Sequence, residues 1–182
     1  MTEEAPSTRL NIGCGHDTRV GWINLDRVHL DGVDLVHDLT QCPWPFEGES
    51  FVEILAKDVL EHVHNLTEVI TESHRVLKPG GTLTIQVPHF TSKDAFSDPT
   101  HVRPFSSLSF DYFTATHSRS YYAQSNFSSV VERTILFDRR PGYPWNYLLQ
   151  PLVNRSQSAR NYYEGSPFRA FPATNVIVRL QK

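Results

Sequence analysis

The stretch Arg9-Leu10-Asn11-Ile12-Gly13-Cys14-Gly15-His16-Asp17 decides the fold. Leu10 to Ile12 is a short apolar run that reads as a buried strand, and it stops at two glycines. Glycine lacks a Cβ, so it accepts φ > 0 and lets a ligand come close to the backbone. In an open α/β sheet, ligands sit beyond the carboxyl ends of the strands, where this turn lies. Taken alone, a Gly-Cys-Gly triplet reads equally well as a tight turn or as a ligand cradle. The flanking sequence separates the two.

Downstream, Trp22 to Asp26 and Val33 to Asp38 read as strands that each end in an acid, and Pro43, Pro45 and Gly48 then forbid regular structure. Phe51 to Ala56 is a fourth strand. A helix capped by Asn65 or Thr67 follows, with Leu66, Val69, Ile70, Ser73, Val76 and Leu77 near a 3.6 period. Lys78-Pro79-Gly80-Gly81 ends it, and Thr82 to Val87 is a fifth strand. Residues 89–104 read as loop. A further helix is expected from Phe105 or Ser106, with Leu108, Phe110, Tyr112 and Phe113 as its apolar positions. Phe127 to Phe137 reads as a strand, Trp145 to Asn154 as a short helix and Asn175 to Leu180 as the last strand. Strands separated by helices or crossovers predict a mainly parallel, three-layer α/β sheet, with the final pair as an antiparallel edge.

At 182 residues the chain is expected to form a single domain, 1–182, with a flexible N-terminus over 1–8. It is 39% apolar and 20% charged with a net charge of -3, which gives no basic footprint and argues against a nucleic-acid partner. Cys14 and Cys42 cannot form a disulfide framework, and residues 1–8 lack the pattern of a signal peptide, so a cytoplasmic location is expected. No apolar run approaches the roughly 18 residues of a membrane span, so no membrane partner is expected.

The glycine turn must be matched to a ligand. A dinucleotide site needs Gly-x-Gly-x-x-Gly opening a helix toward the pyrophosphate. Here Gly15 is followed by His16-Asp17-Thr18-Arg19-Val20-Gly21, too short for a normal helix, and Thr18 stands where the third glycine would be. The pattern suits instead a ligand with a ribose and a compact charged tail. Gly13 and Gly15 would clear space for the tail, Asp26 would accept from ribose hydroxyls, and Asp38 from an exocyclic amine. Either acid alone reads more readily as an ordinary solvated strand-end residue, but features at the ends of three successive strands point to a site.

Leu10-Asn11-Ile12-Gly13-Cys14-Gly15, Ile23-Asn24-Leu25-Asp26, Val36-His37-Asp38-Leu39, Val59-Leu60-Glu61-His62-Val63 and Val76-Leu77-Lys78-Pro79-Gly80-Gly81 resemble class I S-adenosylmethionine-dependent methyltransferases. The resemblance runs from about Leu10 to Val87 and is to the compact, type-11-like branch. It implies a Rossmann-like methyltransferase fold: a mostly parallel seven-stranded sheet with an antiparallel last strand and a reduced helix after strand one. It implies S-adenosyl-L-methionine as cofactor. The implied contacts are Gly13, Gly15, Asp26 and Asp38, with Ala56 and Lys57 at the end of strand four. Cys14, His16, Leu39, Asp58 and His62 are further cofactor-side candidates. Of these, Cys14 reads as a small packing residue, His16 as a contact to the cofactor's carboxylate or a filler of the short connection, and His62 as packing under the cofactor rather than acting in catalysis. The chain departs from the family where Asn11 replaces an acid, where Asp17 replaces a glycine, and in the missing helix.

Methyl transfer from a sulfonium requires nucleophile, carbon and sulfur in line. A hydroxyl or protonated amine acceptor also requires a general base, most often histidine. The candidates follow strand five, in Pro88 to Asp94 and Asp98-Pro99-Thr100-His101. His89 or His101 is the expected base, with Asp98 orienting a histidine or binding substrate. The alternative is that Asp98 caps a turn and His101 bonds a loop carbonyl. His89, Asp94, Asp98, His101 and His117 could ligate a metal, but their spacing matches no compact zinc signature, and no metal is assigned.

Residues 88–125 and 139–172 are expected to be substrate-side insertions. The aromatics between Tyr143 and Phe171 read as a wall for a small, partly apolar substrate, as irregular core, or as a homodimer contact. Arg139, Arg140, Arg155, Arg160 and Arg169 could meet a substrate carboxylate or phosphate. The leading expectation is methyl transfer to a small-molecule O or N acceptor. The alternatives are an inactive methyltransferase-fold binding or partner subunit, and a metal-assisted methyltransferase.

Overall fold

The structure is a computed structural model and describes residues 8–115 and 127–182. His117 and nearly all of the expected flexible N-terminus lie outside them. Seven strands form one sheet: β1 (Arg9–Ile12), β2 (Ile23–Asp26), β3 (Leu35–Val36), β4 (Phe51–Lys57), β5 (Leu77–Pro88), β6 (Ser129–Ile135) and β7 (Asn175–Gln181). Their order is β3-β2-β1-β4-β5-β7-β6. β1 to β5 pair in parallel, whereas β7 is antiparallel to both neighbours. This is the expected mostly parallel α/β sheet of Rossmann-like methyltransferase type, with its last strand reversed. β7 alternates as one buried face demands, with Val176, Val178 and Leu180 fully buried.

The helical layers are thin. Helix α1 (Leu66–Val76) joins β4 to β5, and the one-turn α2 (Asp94–Ser97) follows β5. Helices α3 (Asn146–Asn154) and α4 (Gln157–Gly165) lie between β6 and β7. Among the described residues before α1, the only helical piece is a 3₁₀ turn, Leu60–His62.

The missing helix between β1 and β2 has a replacement made of side chains. Buried Asn24 accepts the Arg19 N–H at Oδ1 (2.8 Å) and donates from Nδ2 to the Arg19 carbonyl (3.1 Å) and to Asp34 Oδ2 (2.9 Å). Those partners fix which end of the amide is oxygen. Asn11, also buried, must then present its NH₂ to Asn24 Oδ1 (3.2 Å), and it donates to the Asp17 carbonyl at 2.7 Å as well. Backbone groups that a helix would have satisfied internally are satisfied by two amides.

Three expectations are corrected. No α-helix forms from Phe105: the Phe105 carbonyl accepts from Phe90 N (2.7 Å), Ser107 N donates to Glu164 (2.7 Å), and Ser106 and Ser109 bond each other. These local bonds compete with helix formation, leaving one 3₁₀ turn at Asp111–Phe113, while Phe105, Phe110 and Phe113 are still buried. Residues 78–81 do not separate helix from strand, because β5 starts at Leu77 and they bulge out between the Phe51–Leu77 and Glu53–Thr82 pairs. Helix α4 has no counterpart in the sequence reading; its Ser156 cap and its single buried residue, Tyr163, leave little apolar period to detect.

The amide pair gives a direct test. Asn11→Asp restores the acid usual at this position but points a carboxylate at the Asp17 carbonyl and Asn24 Oδ1, neither of which can donate. We expect it to lower unfolding free energy by about 2–4 kcal/mol, read from the urea midpoint, and to cost more than Asn11→Ala.

Candidate functional site

The carboxyl ends of β1, β2 and β4, with the turn after β3, open onto one cleft of about 330 Å³. Gly13, Gly15, Asp26, Asp38, Leu39, Asp58 and His62 line it, as do Arg27, His37, Thr40, Val59, Val63 and Thr100. Gly13 (φ +60°) is a glycine by necessity, because a Cβ there would lie 2.2 Å from Val59 Cγ2. Gly15 (φ +48°) has open space at the same position.

Asp26 is held through both oxygens: Oδ2 accepts from Gly15 N (2.8 Å) and Oδ1 from Val28 N (2.9 Å). A carboxylate has about four acceptor positions, so each oxygen keeps one for a ligand. Asp38 Oδ1 takes both the N–H (2.9 Å) and the hydroxyl (2.8 Å) of Thr40, and those bonds hold its carboxyl below the usual range. Asp58 occupies the left-handed region at φ +52°, which costs a non-glycine residue energy and marks the β4 exit as a constrained point.

The other expected contacts stand apart from the cleft. Cys14 is buried, and burial together with the Asp26 charge pushes its thiol up to about 11, so it packs as a neutral side chain. Lys57 turns away to Asp17 (2.7 Å). Ala56 is fully buried in β4, and His16 is exposed.

The histidines sort clearly. His89 is fully buried with both ring nitrogens engaged, Nε2 with Glu164 (3.0 Å) and Nδ1 with Thr91 Oγ1 (2.8 Å). It therefore cross-links the β5 exit to α4 and does not reach the cleft. Tyr163, whose hydroxyl donates to the Phe171 carbonyl (2.8 Å), packs beside it. His101 instead meets His62, ring centroids 4.7 Å apart. Asp98 Oδ1 caps a turn by accepting from Thr100 N (2.8 Å) and also accepts from Thr100 Oγ1 (2.6 Å), which bonds His62 Nδ1 (2.8 Å). Burial, together with neighbouring His101, holds His62 below the usual imidazole range. Glu61, beside them, is buried and pushed up to about 7 by that burial.

Beyond His101 the surface continues as a shallow depression lined by Asp94, Ser97, Asp98 and Pro99. Asp94 also borders a larger depression of about 550 Å³, walled by Tyr143, Trp145 and Phe171. The loop after β5 and the aromatic insert thus meet. Arg140 lines the same wall but is paired with Asp138 (2.5 Å), and Arg160 bonds the end of α3 through the Asn154 carbonyl (3.1 Å). Sequence reasoning missed Arg27 and His37, although each adjoins a strand-end acid it named. It also missed Glu61, which lay within a quoted motif.

Comparison with known proteins agrees with this architecture. The methyltransferase domain family model matches residues 14–85, from the glycine turn into β5. A SAM-dependent methyltransferase from Archaeoglobus fulgidus superposes with a TM-score of 0.63 at 13% identity, covering 96% of this chain and 85% of that one. The YcgJ protein from Bacillus subtilis gives 0.58 at 16%, covering 99% and 94%. A chain of the complex containing the Haloferax volcanii Trm112 methyltransferase activator gives 0.58 at 17%, covering 100% and 84%. No curated protein matches the chain in sequence. The fold is the one seen in class I S-adenosylmethionine-dependent methyltransferases, and residues 14–85 match the methyltransferase domain family model.

Two outcomes follow from the geometry. Gly13→Ala and Gly15→Ala both incur left-handed strain, but only Gly13→Ala also drives a methyl into Val59, so it should cost about 1–3 kcal/mol more in urea unfolding. At Glu164, burial raises the carboxyl, but the bonds from His89 and Ser107 outweigh it and hold it low. Its contribution is present at neutral pH and is lost as pH falls through that depressed value. Glu164→Gln should lose about 1–3 kcal/mol at neutral pH and show a flatter acid limb of Tm against pH.

Proposed function

We propose that the chain is an S-adenosylmethionine-dependent methyltransferase acting on a small molecule through an oxygen or nitrogen nucleophile. The observation that carries the reading is the cleft, with acids at the ends of β2 and β3, apolar side chains between them and a glycine turn that leaves room. Asp26, pinned by two backbone N–H groups, would accept from ribose hydroxyls with its remaining lone pairs. Asp38 would accept from the base's exocyclic amine, with Leu39, Val59 and Val63 as apolar walls. The open space at Gly15 suits the compact charged tail. The bound cofactor supplies a sulfonium methyl group open to in-line attack.

The protein's part is placement and proton handling. Holding the acceptor in line contributes several kcal/mol to lowering the barrier. The acceptor's proton goes to the histidine pair His62 and His101, with Asp98 positioning His62 through Thr100. His89 has no free nitrogen and serves the scaffold. The depression walled by Tyr143, Trp145 and Phe171 is the acceptor's approach, and residues 88–115 and 139–172 are the substrate-side insertions of a single domain; the rest of the expected first insertion, 116–125, lies outside the described residues. Its modest size and mixed lining favour a small, partly apolar acceptor.

Isothermal titration of the full chain with S-adenosylhomocysteine tests the first step. Binding is expected, and Asp26→Asn should weaken it about 10- to 100-fold; absence of binding by the folded protein overturns the reading. Turnover is then followed as release of S-adenosylhomocysteine over a panel of small hydroxy, carboxy and amino acceptors. His62→Asn should lower the rate at least tenfold with cofactor affinity retained. Binding without turnover on any acceptor would favour a partner subunit instead.

A further inference from the structure

We infer that Glu61, His62 and His101 form a site for one divalent first-row transition cation, with Zn²⁺ the best-fitting member, at the rim of the cleft. Glu61 and His62 come from the 3₁₀ turn after β4, and His101 arrives from the loop after β5, where Val102 N donates to the Glu61 carbonyl (2.8 Å). Each residue offers one ligand atom, and these atoms all lie within 4.8 Å of one another. Ligand bonds of about 2.0 Å in a tetrahedral shell set the ligand atoms roughly 3.3 Å apart, so the three would draw together on binding.

Unmet valence points the same way. Glu61 Oε2 and His101 Nδ1 are both buried and have no hydrogen-bond partner. Leaving a buried polar atom unpaired costs about 1–3 kcal/mol, and here two such atoms converge on one place. A cation satisfies both at once.

The proton bookkeeping at His62 leaves it ready to ligate. Thr100 has one hydroxyl proton, and at 2.6 Å from an acceptor-only carboxylate it donates that proton to Asp98. Thr100 Oγ1 must then accept from His62 Nδ1–H, which leaves Nε2 of His62 with its lone pair. His101 has the complementary arrangement, its Nε2 facing Asp98 Oδ2 at 3.9 Å and Nδ1 without a partner. One carboxylate thus backs His62 through Thr100, as outer partners stand behind metal-ligating histidines, and lies within ion-pair range of His101.

Two imidazoles and one carboxylate suit zinc and its neighbours, whereas Mg²⁺ and Ca²⁺ select all-oxygen shells. Three protein ligands leave one position open, the arrangement of a catalytic rather than a structural site. His62 and Thr100 line the cleft, so that position faces it and would take a water or an oxygen of the acceptor. With the cation bound, the lone pairs of His62 and His101 are given to it, so the proton-acceptor role proposed for this pair belongs to the metal-free chain. Placing an acceptor at the open position rests on the methyl-transfer reading, and the cation site itself does not. The set differs from the one considered in the sequence: His89 is committed to Glu164, and Asp94 borders the neighbouring depressions.

Chelator-washed full-length protein is titrated with Co²⁺, followed by its visible d–d absorption, and then with competing Zn²⁺. One equivalent per chain is expected, with a tetrahedral Co²⁺ spectrum bleached by Zn²⁺. His62→Ala and His101→Ala should each weaken Zn²⁺ at least ~100-fold, and Thr100→Val about tenfold through loss of the outer partner. Glu61→Gln, which keeps the side-chain volume, should weaken it while circular dichroism is unchanged, and His29→Ala should leave it alone. No stoichiometric binding, or binding indifferent to Glu61→Gln and His62→Ala, overturns the proposal. S-adenosylhomocysteine titration of the same metal-free protein reports separately on the methyl-transfer reading.

Discussion

The structure depends on how a ten-residue segment gets from β1 to β2 without a helix. In a parallel pair the chain must return from the end of one strand to the start of the next, and a helix normally satisfies its backbone polar groups on the way. Here the return spans only residues 13–22, and Asn11 and Asn24, facing each other in paired strands, reach into it. Because Asn24 must offer its oxygen to Arg19 N, Asn11 must offer hydrogen, and an acid at position 11 is excluded on electrostatic grounds. The substitution that looks like a lost family residue is what the shortened connection requires.

That connection sets the rim of the cleft. Gly15 N reaches Asp26 because the turn folds tightly back over β2, and Gly13 meets Val59 because β1 and β4 are adjacent. The acids at the ends of β2 and β3 then face one opening. Asp26 is placed by strand register, and Asp38 by the turn that Thr40 holds just beyond β3. Asp17, left over once the usual glycine is absent, takes Lys57 and Arg19 as partners and bridges the turn to the end of β4.

Much of this was legible in the sequence, for a physical reason. Strand ends are local features: an apolar run, a glycine or an acid at a fixed offset specifies where the chain stops and what it presents. Asp26, Asp38 and the glycine turn could therefore be read from composition and order. The helix expected from Phe105 failed because the contest there was settled by distant groups, Phe90 on one side and Glu164 on the other. His89 looked like a base for the same reason. Its partner Glu164 lies in α4, a helix with one buried side chain and almost no periodic signal.

The contrast between His89 and His62 shows where function separates from scaffold in this fold. Both follow parallel strands, and both have a carboxylate within reach, directly for one and through a hydroxyl for the other. His89 spends both nitrogens inside the protein, on Glu164 and Thr91, so neither can ligate without giving up a contact that ties down the β5 exit. His62 spends one, on a hydroxyl whose own proton is already given to Asp98, and so keeps a lone pair at the cleft. A histidine's availability is set by how many of its nitrogens the fold has already used. By that measure the available imidazole is the one in the turn after β4, which the loop after β5 folds back to meet.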